Sequence, residues 1–130
     1  MISNSISVPI FIESRYRVNR KRIKTTVIDT LQKNGVLGPC EVSVAIVGDR
    51  KMRSLNKKYR DLDKTTNVLS FSQTEGAHSV LPPDNLYLGD VVVSYPKVIE
   101  EAVLEKMLVD DKIAELVEHS VLHLLGQHHR

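Results

Sequence analysis

The chain closes on HSVLHLLGQHHR, residues 119–130, with histidines at 119, 123, 128 and 129. Burying a core requires no such spacing, whereas holding a metal ion does. His119 and His123 are four apart, so on a helix they project from one face, about 5–6 Å apart at Cβ. Gly126 can end that helix in a left-handed conformation that other residues resist. The chain can then turn back and bring His129 to the same point. Three imidazoles with one position left open to water are the layout of a catalytic zinc site, not of a closed structural one. Nickel, copper or another divalent ion would also suit three imidazoles. His128 is read as a non-ligand. The bland alternative is a histidine-rich solvated tail.

The pattern H-x₃-H-x₅-H also occurs in metzincin proteases, where a glutamate directly after the first histidine serves as general base. Here Ser120 holds that position. Glu118 is the neighbour on the wrong side, about 100° round the helix from His119. The metal cage is therefore present and the protease base is missing, which argues against peptide hydrolysis.

These residues need a scaffold, and the rest of the chain reads as α+β. SISVPIFIE (5–13) has strand character, with Pro9 suggesting an edge. Asn19 can cap a helix to about Asn34, with Ile23, Val27, Ile28 and Leu31 on one side and Gly35 as its stop. CEVSVAIVG (40–48) alternates as a strand with Val42, Val44 and Ile46 on one face. Asp49 is expected to cap a short helix, RKMRSLNKKYR, whose stripe is Met52, Leu55 and Tyr59. TNVLSFS (66–72) reads as a strand and 73–85, with Gly and a Pro pair, as a long loop. LYLGDVVVSY (86–95) reads as a strand whose VVV run suggests burial on both faces. Pro96 suits the first turn of a helix to about Met107. Asp110 and Asp111 open the last helix, which turns Ile113, Leu116, Val117, Val121 and Leu124 to the core. The expected architecture is one domain over residues 1–130, a small mixed sheet covered by helices with the metal site at the end of the last helix.

Composition narrows the classes further. The 130 residues carry 42% hydrophobic and 26% charged side chains, as expected of a globular domain large enough to bury a core. No apolar run approaches the roughly 20 residues of a membrane span. No basic segment precedes the apolar residues of MISNSISVPIFIE, so no signal peptide is read there. The lone Cys40 has no internal disulfide partner, and a reducing cytoplasmic setting, or its organellar equivalent, is expected. The net charge of +2 is unevenly placed: residues 1–64 hold 14 Lys/Arg against 6 Asp/Glu, and residues 65–130 hold 4 against 10. Two basic clusters, RYRVNRKRIK (15–24) and RKMRSLNKKYR (50–60), can neutralise phosphates, although a charge run is more often a solvated helix face.

Three stretches together resemble the YbeY-type family of single-strand-specific, metal-dependent endoribonucleases that mature ribosomal RNA. HSVLHLLGQHH is similar to that family's H-G-x-L-H-L-x-G-y-D-H signature. LNKKYRDLDKTTNVLSFS (55–72) is similar to its L-N-x-x-Y-R-x-x-D-x-P-T-[DN]-V-L-S-F block, and LGDVVVS (88–94) to its L-G-D-I-x-I segment. The likeness spans about residues 40–129, in the family's order. It implies a small α+β domain with its metal in a cleft, metal ligands at His119, His123 and His129, and a functional arginine at Arg60. It also implies ribosomal RNA precursors as substrate, and a ribosomal subunit or assembly factors as partners. Ser120 stands where the family has Gly, Thr65 where it has Pro, and His128 where it has Asp. The chain ends one residue after His129, where relatives continue into a further helix, and that helix is read as missing.

The chemistry can be reasoned from the residues as well. A three-histidine metal with an open position can acidify a bound water or polarise a phosphoryl oxygen. Arg60 can pair bidentately with phosphate oxygens; its structural alternative is a surface arginine beside Asp61 and Asp63. Single strands suit a cleft because their backbone can bend into it. Asn67, Ser70 and Ser72 can line that cleft or simply form a strand. Asp90 can touch substrate or anchor a turn, with the two readings evenly balanced. The altered signature positions keep a second hypothesis open, a metal-stabilised ribosome-assembly or RNA-binding factor with weakened catalysis.

Overall fold

In CEVSVAIV every second side chain is apolar and turned inward, and this segment is the central strand, β3 (Cys40–Val47), of a five-stranded sheet. Cys40, Val42, Val44 and Ile46 are buried on one face, the two-residue period that a pleated strand imposes. The computed structural model describes residues 5–73 and 86–126. Within them the N-terminal segment runs parallel to β3 as two short strands, β1 (Ile6–Ser7) and β2 (Ile10–Ile12), instead of one strand over 5–13. The break falls at Val8 and Pro9. Proline has no N–H to give a ladder, yet its carbonyl still accepts from the Val44 N–H at 3.0 Å, on the sheet edge where a strand proline belongs.

On its other side β3 pairs in parallel with β5 (Leu86–Ser94), and β5 pairs antiparallel with β4 (Val68–Ser72), the opposite edge. The VVV run is buried on both faces, as expected. Val91 and Val93 join a large core with β3, α1 (Arg20–Lys33) and α4 (Val109–Leu124). Val92 faces a smaller core with Val47, Leu69 and Met52 of α2 (Asp49–Arg60). Helices therefore lie on both sides of the sheet, with α1 and α4 on one face and α2 on the other. The sequence between residues 73 and 86, read as a loop, lies outside the described residues.

The helix ends show where local signals hold and where tertiary contacts redirect them. Asn19 caps α1, its side chain accepting from Arg22 N–H at 3.0 Å, and Gly35 follows with φ +82°. Asp49 does not cap α2 as expected, because Gly48 takes that position. The Asp49 carboxylate instead accepts from Thr65 Oγ1 at 3.1 Å and Ser94 Oγ at 2.9 Å, tying the start of α2 to the approach of β4 and the end of β5. Tyr59 is not part of a buried stripe either; it is 56% exposed, while Asn56 is buried and donates its amide N–H to Lys64 O at 2.9 Å. Strand β4 begins at Val68, two residues later than the expected 66. Tyr95 belongs to α3 (Tyr95–Glu105) and not to β5, since Ser94 caps that helix by accepting from Lys97 N–H. Helix α3 stops two residues short of Met107, where Lys106 turns into the left-handed region at φ 57°.

Helix α4 buries Ile113, Leu116, Val117, Val121 and Leu124, the stripe that periodicity predicts. Each such side chain contributes on the order of 1.5–3 kcal/mol by leaving water. Its first turn is fastened by charge. Asp110 accepts from the Asn19 N–H at 3.1 Å and Asp111 pairs with Arg22. Lys112 is buried among Glu105 at 3.0 Å, Glu115 at 3.3 Å and Glu101 at 3.7 Å. Burial alone would lower the Lys112 pKa; the hydrogen bonds to Glu105 and Glu115 overcome it, and the ammonium is held above its ordinary value. Among the described residues, no helix is long and apolar enough to cross a membrane.

Candidate functional site

The last two turns of α4 form one wall of a cleft of about 820 Å³. His119 and His123 stand there one turn apart, both exposed, with the buried Ser120 between them and Leu116 and Leu124 at the base. Helical spacing thus does what the sequence suggested. The apolar stripe anchors the helix, and the next face carries two imidazoles into the opening.

The facing wall is β4. Val68, Ser70 and Ser72 alternate towards the cleft, while Leu69 and Phe71 turn to the α2 side. The two serines therefore line the cleft because of their parity in the strand. Asn67, just before β4, also lines it, and its amide donates to both carboxylate oxygens of Glu101, at 3.1 and 3.3 Å. Glu101 in turn is one of the carboxylates around Lys112. Sequence reasoning had not singled out Glu101. Its only sequence signal is a place on a helix face, and the contact joins residues 34 apart.

Arg60 is the last residue of α2, on the far face of the sheet from α4, yet it lines the same cleft. Edge strand β4 makes this possible, since a side chain leaving the end of α2 can pass round an edge. The turn after it is sharp. Asp61 adopts φ 59°, a left-handed conformation that Asp tolerates better than most residues, and its N–H bonds back to Lys57 O. Among the described residues no carboxylate pairs with Arg60. Neighbouring Arg53, by contrast, is bound to Asp63 at 2.7 Å; that hydrogen bond and the charge beside it raise the arginine's pKa and lower the carboxyl's. Arg60 is exposed beside Asp61, and it lines the cleft without an ion pair to Asp61 or Asp63 among the described residues.

Gly89 sets how closely the site's walls approach. A Cβ there would lie 2.3 Å from Phe71 O and 2.8 Å from Leu124 Cδ2. Only a glycine lets β4 and the end of α4 close on β5 at this point, where the β3–β5 register also shifts between Glu41 and Val42. The glycine of LGDVVV is therefore a positioning residue for the helix turn that carries His123.

Asp90 does not reach the cleft. It lies on the α2 face of β5, where it accepts from Tyr87 OH and Ser43 Oγ. Burial, followed by the bond to Asp90, raises the Tyr87 phenol and keeps it a donor. Asp90 Oδ1 thus anchors neighbouring strands β3 and β5, and not the turn that the sequence suggested. Cys40 is buried, and burial raises its thiol, so it is a packing residue and not a nucleophile.

Two imidazoles one turn apart at an open cleft are a donor set that suits zinc or another borderline-soft divalent ion. His129, the third expected ligand, and His128 lie outside the described residues. Among the described residues no three His, Cys, Asp or Glu side chains are grouped to hold a metal. The pair is thus two-thirds of the cage that the sequence suggests.

Comparison with known proteins agrees with this architecture. The family model described as Endoribonuclease YbeY matches residues 11–130. The Endoribonuclease YbeY of Roseiflexus castenholzii is 38% identical over 113 residues, covering 86% of this chain and 71% of that one. That of Acinetobacter baumannii (strain ATCC 17978) is 38% identical over 120 residues, covering 92% and 75%. A Thermotoga maritima protein solved in solution shares the fold with a TM-score of 0.60 at 24% identity, over 95% of this chain and 75% of its own. A helix end that turns two histidines onto a serine-lined edge strand, and a match that runs through nearly the whole chain, lead to one assignment: the chain belongs to the endoribonuclease YbeY family.

Proposed function

We propose that this protein is a metal-dependent endoribonuclease that cuts single-stranded RNA, with ribosomal RNA precursors as its substrate class. Family membership supports the activity. The observation that carries the mechanism is that Arg60 and the histidine pair, from opposite faces of the sheet, line one cleft. His119, His123 and His129 are assigned as the metal ligands. A divalent ion held there, zinc by ligand type, supplies Lewis acidity towards a phosphoryl oxygen or an acidified water.

The chain's own groups do the rest. The Arg60 guanidinium donates in a fork to two non-bridging oxygens and favours the charge that builds on them at the transition state. Ser70 and Ser72 hydroxyls, on the wall opposite the histidines, can donate to the sugar–phosphate backbone. The Asn67 amide nitrogen is held by Glu101, and Asn67 lines the cleft, where its side-chain oxygen can accept from the substrate. Lys57, Lys58, Lys51 and Arg50 lie exposed on α2 and draw in the polyanion, which makes binding salt-sensitive. The missing glutamate at Ser120 removes the general base of a peptidase, consistent with a phosphodiester substrate.

The test is cleavage of a labelled single-stranded RNA and of its duplex. The single strand is cut, the duplex is spared, and Arg60→Ala slows cutting by about a hundredfold, the scale of a lost transition-state donor. Equal rates for Arg60→Ala and wild type would remove Arg60 from the reaction. A ribosomal subunit or assembly factor is the expected protein partner.

A further inference from the structure

The α2 face of β4 carries a second recess, of about 290 Å³, lined by Tyr59, Phe71, Leu55, Ser43, Asp90 and Gln73 among others. It is separate from the cleft, but the two share an edge. Tyr59 precedes Arg60 in the last turn of α2, and Phe71 lies between Ser70 and Ser72 in β4. Tyr59 is 56% exposed, where the end of α2 overhangs the sheet's edge. Its ring meets the edge of Phe71 with centroids 5.1 Å apart. The Lys58 ammonium lies 5.1 Å from the Tyr59 centroid, a weak contact at an exposed site that another planar group can displace. At the far end, Asp90 Oδ1 accepts from Tyr87 OH and Ser43 Oγ, and among the described residues Oδ2 meets the Gln73 amide alone, at 3.5 Å.

We propose that this recess is a nucleobase subsite: a base of the bound single strand stacks on Tyr59 beside Phe71 and donates an N–H to Asp90 Oδ2. The inference rests on the RNA reading above. Three features favour a nucleic acid over a protein side chain. The recess and the cleft lie on either side of edge strand β4, and Tyr59 and Arg60 are consecutive, so a strand passing round that edge can place a phosphate at Arg60 and the neighbouring base at Tyr59. Cations flank it: Lys58 lies over the Tyr59 ring, and Lys57 and Arg60 belong to the same last turn of α2. Its aromatic wall and carboxylate floor match a flat ring with N–H donors on its edge, and every nucleobase with an amino or imino group offers one. Stacking supplies affinity without strong sequence preference, while the carboxylate fixes which edge of the base faces inward.

The test is binding of a short fluorescent single-stranded RNA, followed by anisotropy in the His123→Ala background so that the strand stays whole. A series of the same RNA with one abasic site moved along it locates the stacked base. Tyr59→Ala should weaken binding about tenfold or more, the range of one base stacked on an aromatic ring, and Tyr59→Phe should retain it. One abasic position should cost the same factor, and combining it with Tyr59→Ala should add nothing. RNA bound equally by Tyr59→Ala and its parent would overturn the subsite and leave the nuclease reading standing. No RNA binding by either protein would overturn the RNA reading, and the subsite with it.

Discussion

The two ends of α4 are built to opposite specifications. The first turn is fastened from every side: Asp110 to the start of α1, Asp111 to Arg22, and the buried Lys112 to three carboxylates. The last turns carry two exposed histidines to the cleft above an apolar base, with Leu124 seated against Gly89. One end spends its polar groups on the protein itself, and the other presents them to the cleft. A helix can serve both purposes because its apolar stripe is continuous and only the polar face changes role along its length. A similar contrast separates individual arginines of the two basic clusters. Arg20 and Arg22 on α1 bond to Ile10 O and Asp111, whereas Arg60 on α2 points to the cleft.

If the division is real, substitutions at the two ends will have different readouts. The largest effect is at the open end. His123→Ala should reduce RNA cleavage by about a thousandfold, as removal of a central active-site group does, with the unfolding midpoint nearly unchanged. A lost fold would show that the histidine is structural. Gly89→Ala should come next, destabilising by about 3 kcal/mol in denaturant unfolding because a Cβ meets both Phe71 O and Leu124, and lowering cleavage as the helix end is pushed away. At the closed end, Lys112→Met should cost about 1–2 kcal/mol, less than a fully buried pair because the partner carboxylates are partly exposed, and leave cleavage unchanged.

That substitution also sharpens the comparison through pH. The Lys112 pKa is raised on folding, so its contribution is complete below the unfolded lysine value of about 10.4 and is lost as pH rises through the higher folded value. The stability gap between wild type and Lys112→Met should therefore be flat at neutral pH and narrow in alkali. The smallest effect belongs to Asp111→Asn. Its pair with Arg22 is about two-fifths exposed on both sides, so the loss should be under about 1 kcal/mol and vanish in high salt.

The sequence made the helical stripe of α4, the alternation of β3, the doubly buried VVV and the histidine pair readable, because each follows from a local period. It also made Arg60 readable, through resemblance more than through chemistry. What it hid depends on chain reversals. Asp49 looked like a cap because nothing local reveals that Thr65 and Ser94 will arrive beside it. Tyr59 looked like core because its helical position fits the stripe, while the end of α2 overhangs the sheet's edge. Glu101 and Gly89 have roles only once α3, α4 and β5 are assembled. His129, expected as a third ligand from its spacing and from the resemblance, lies outside the described residues.

The most direct test of the account is restoration of single-stranded RNA cleavage by zinc after chelation, run in parallel on wild type and His123→Ala. Chelated wild type should be inactive, about one zinc per chain should restore it, and His123→Ala should stay inactive at the same zinc concentration. Cleavage that persists in chelated wild type, or returns equally in His123→Ala, would contradict a metal centre at the end of α4.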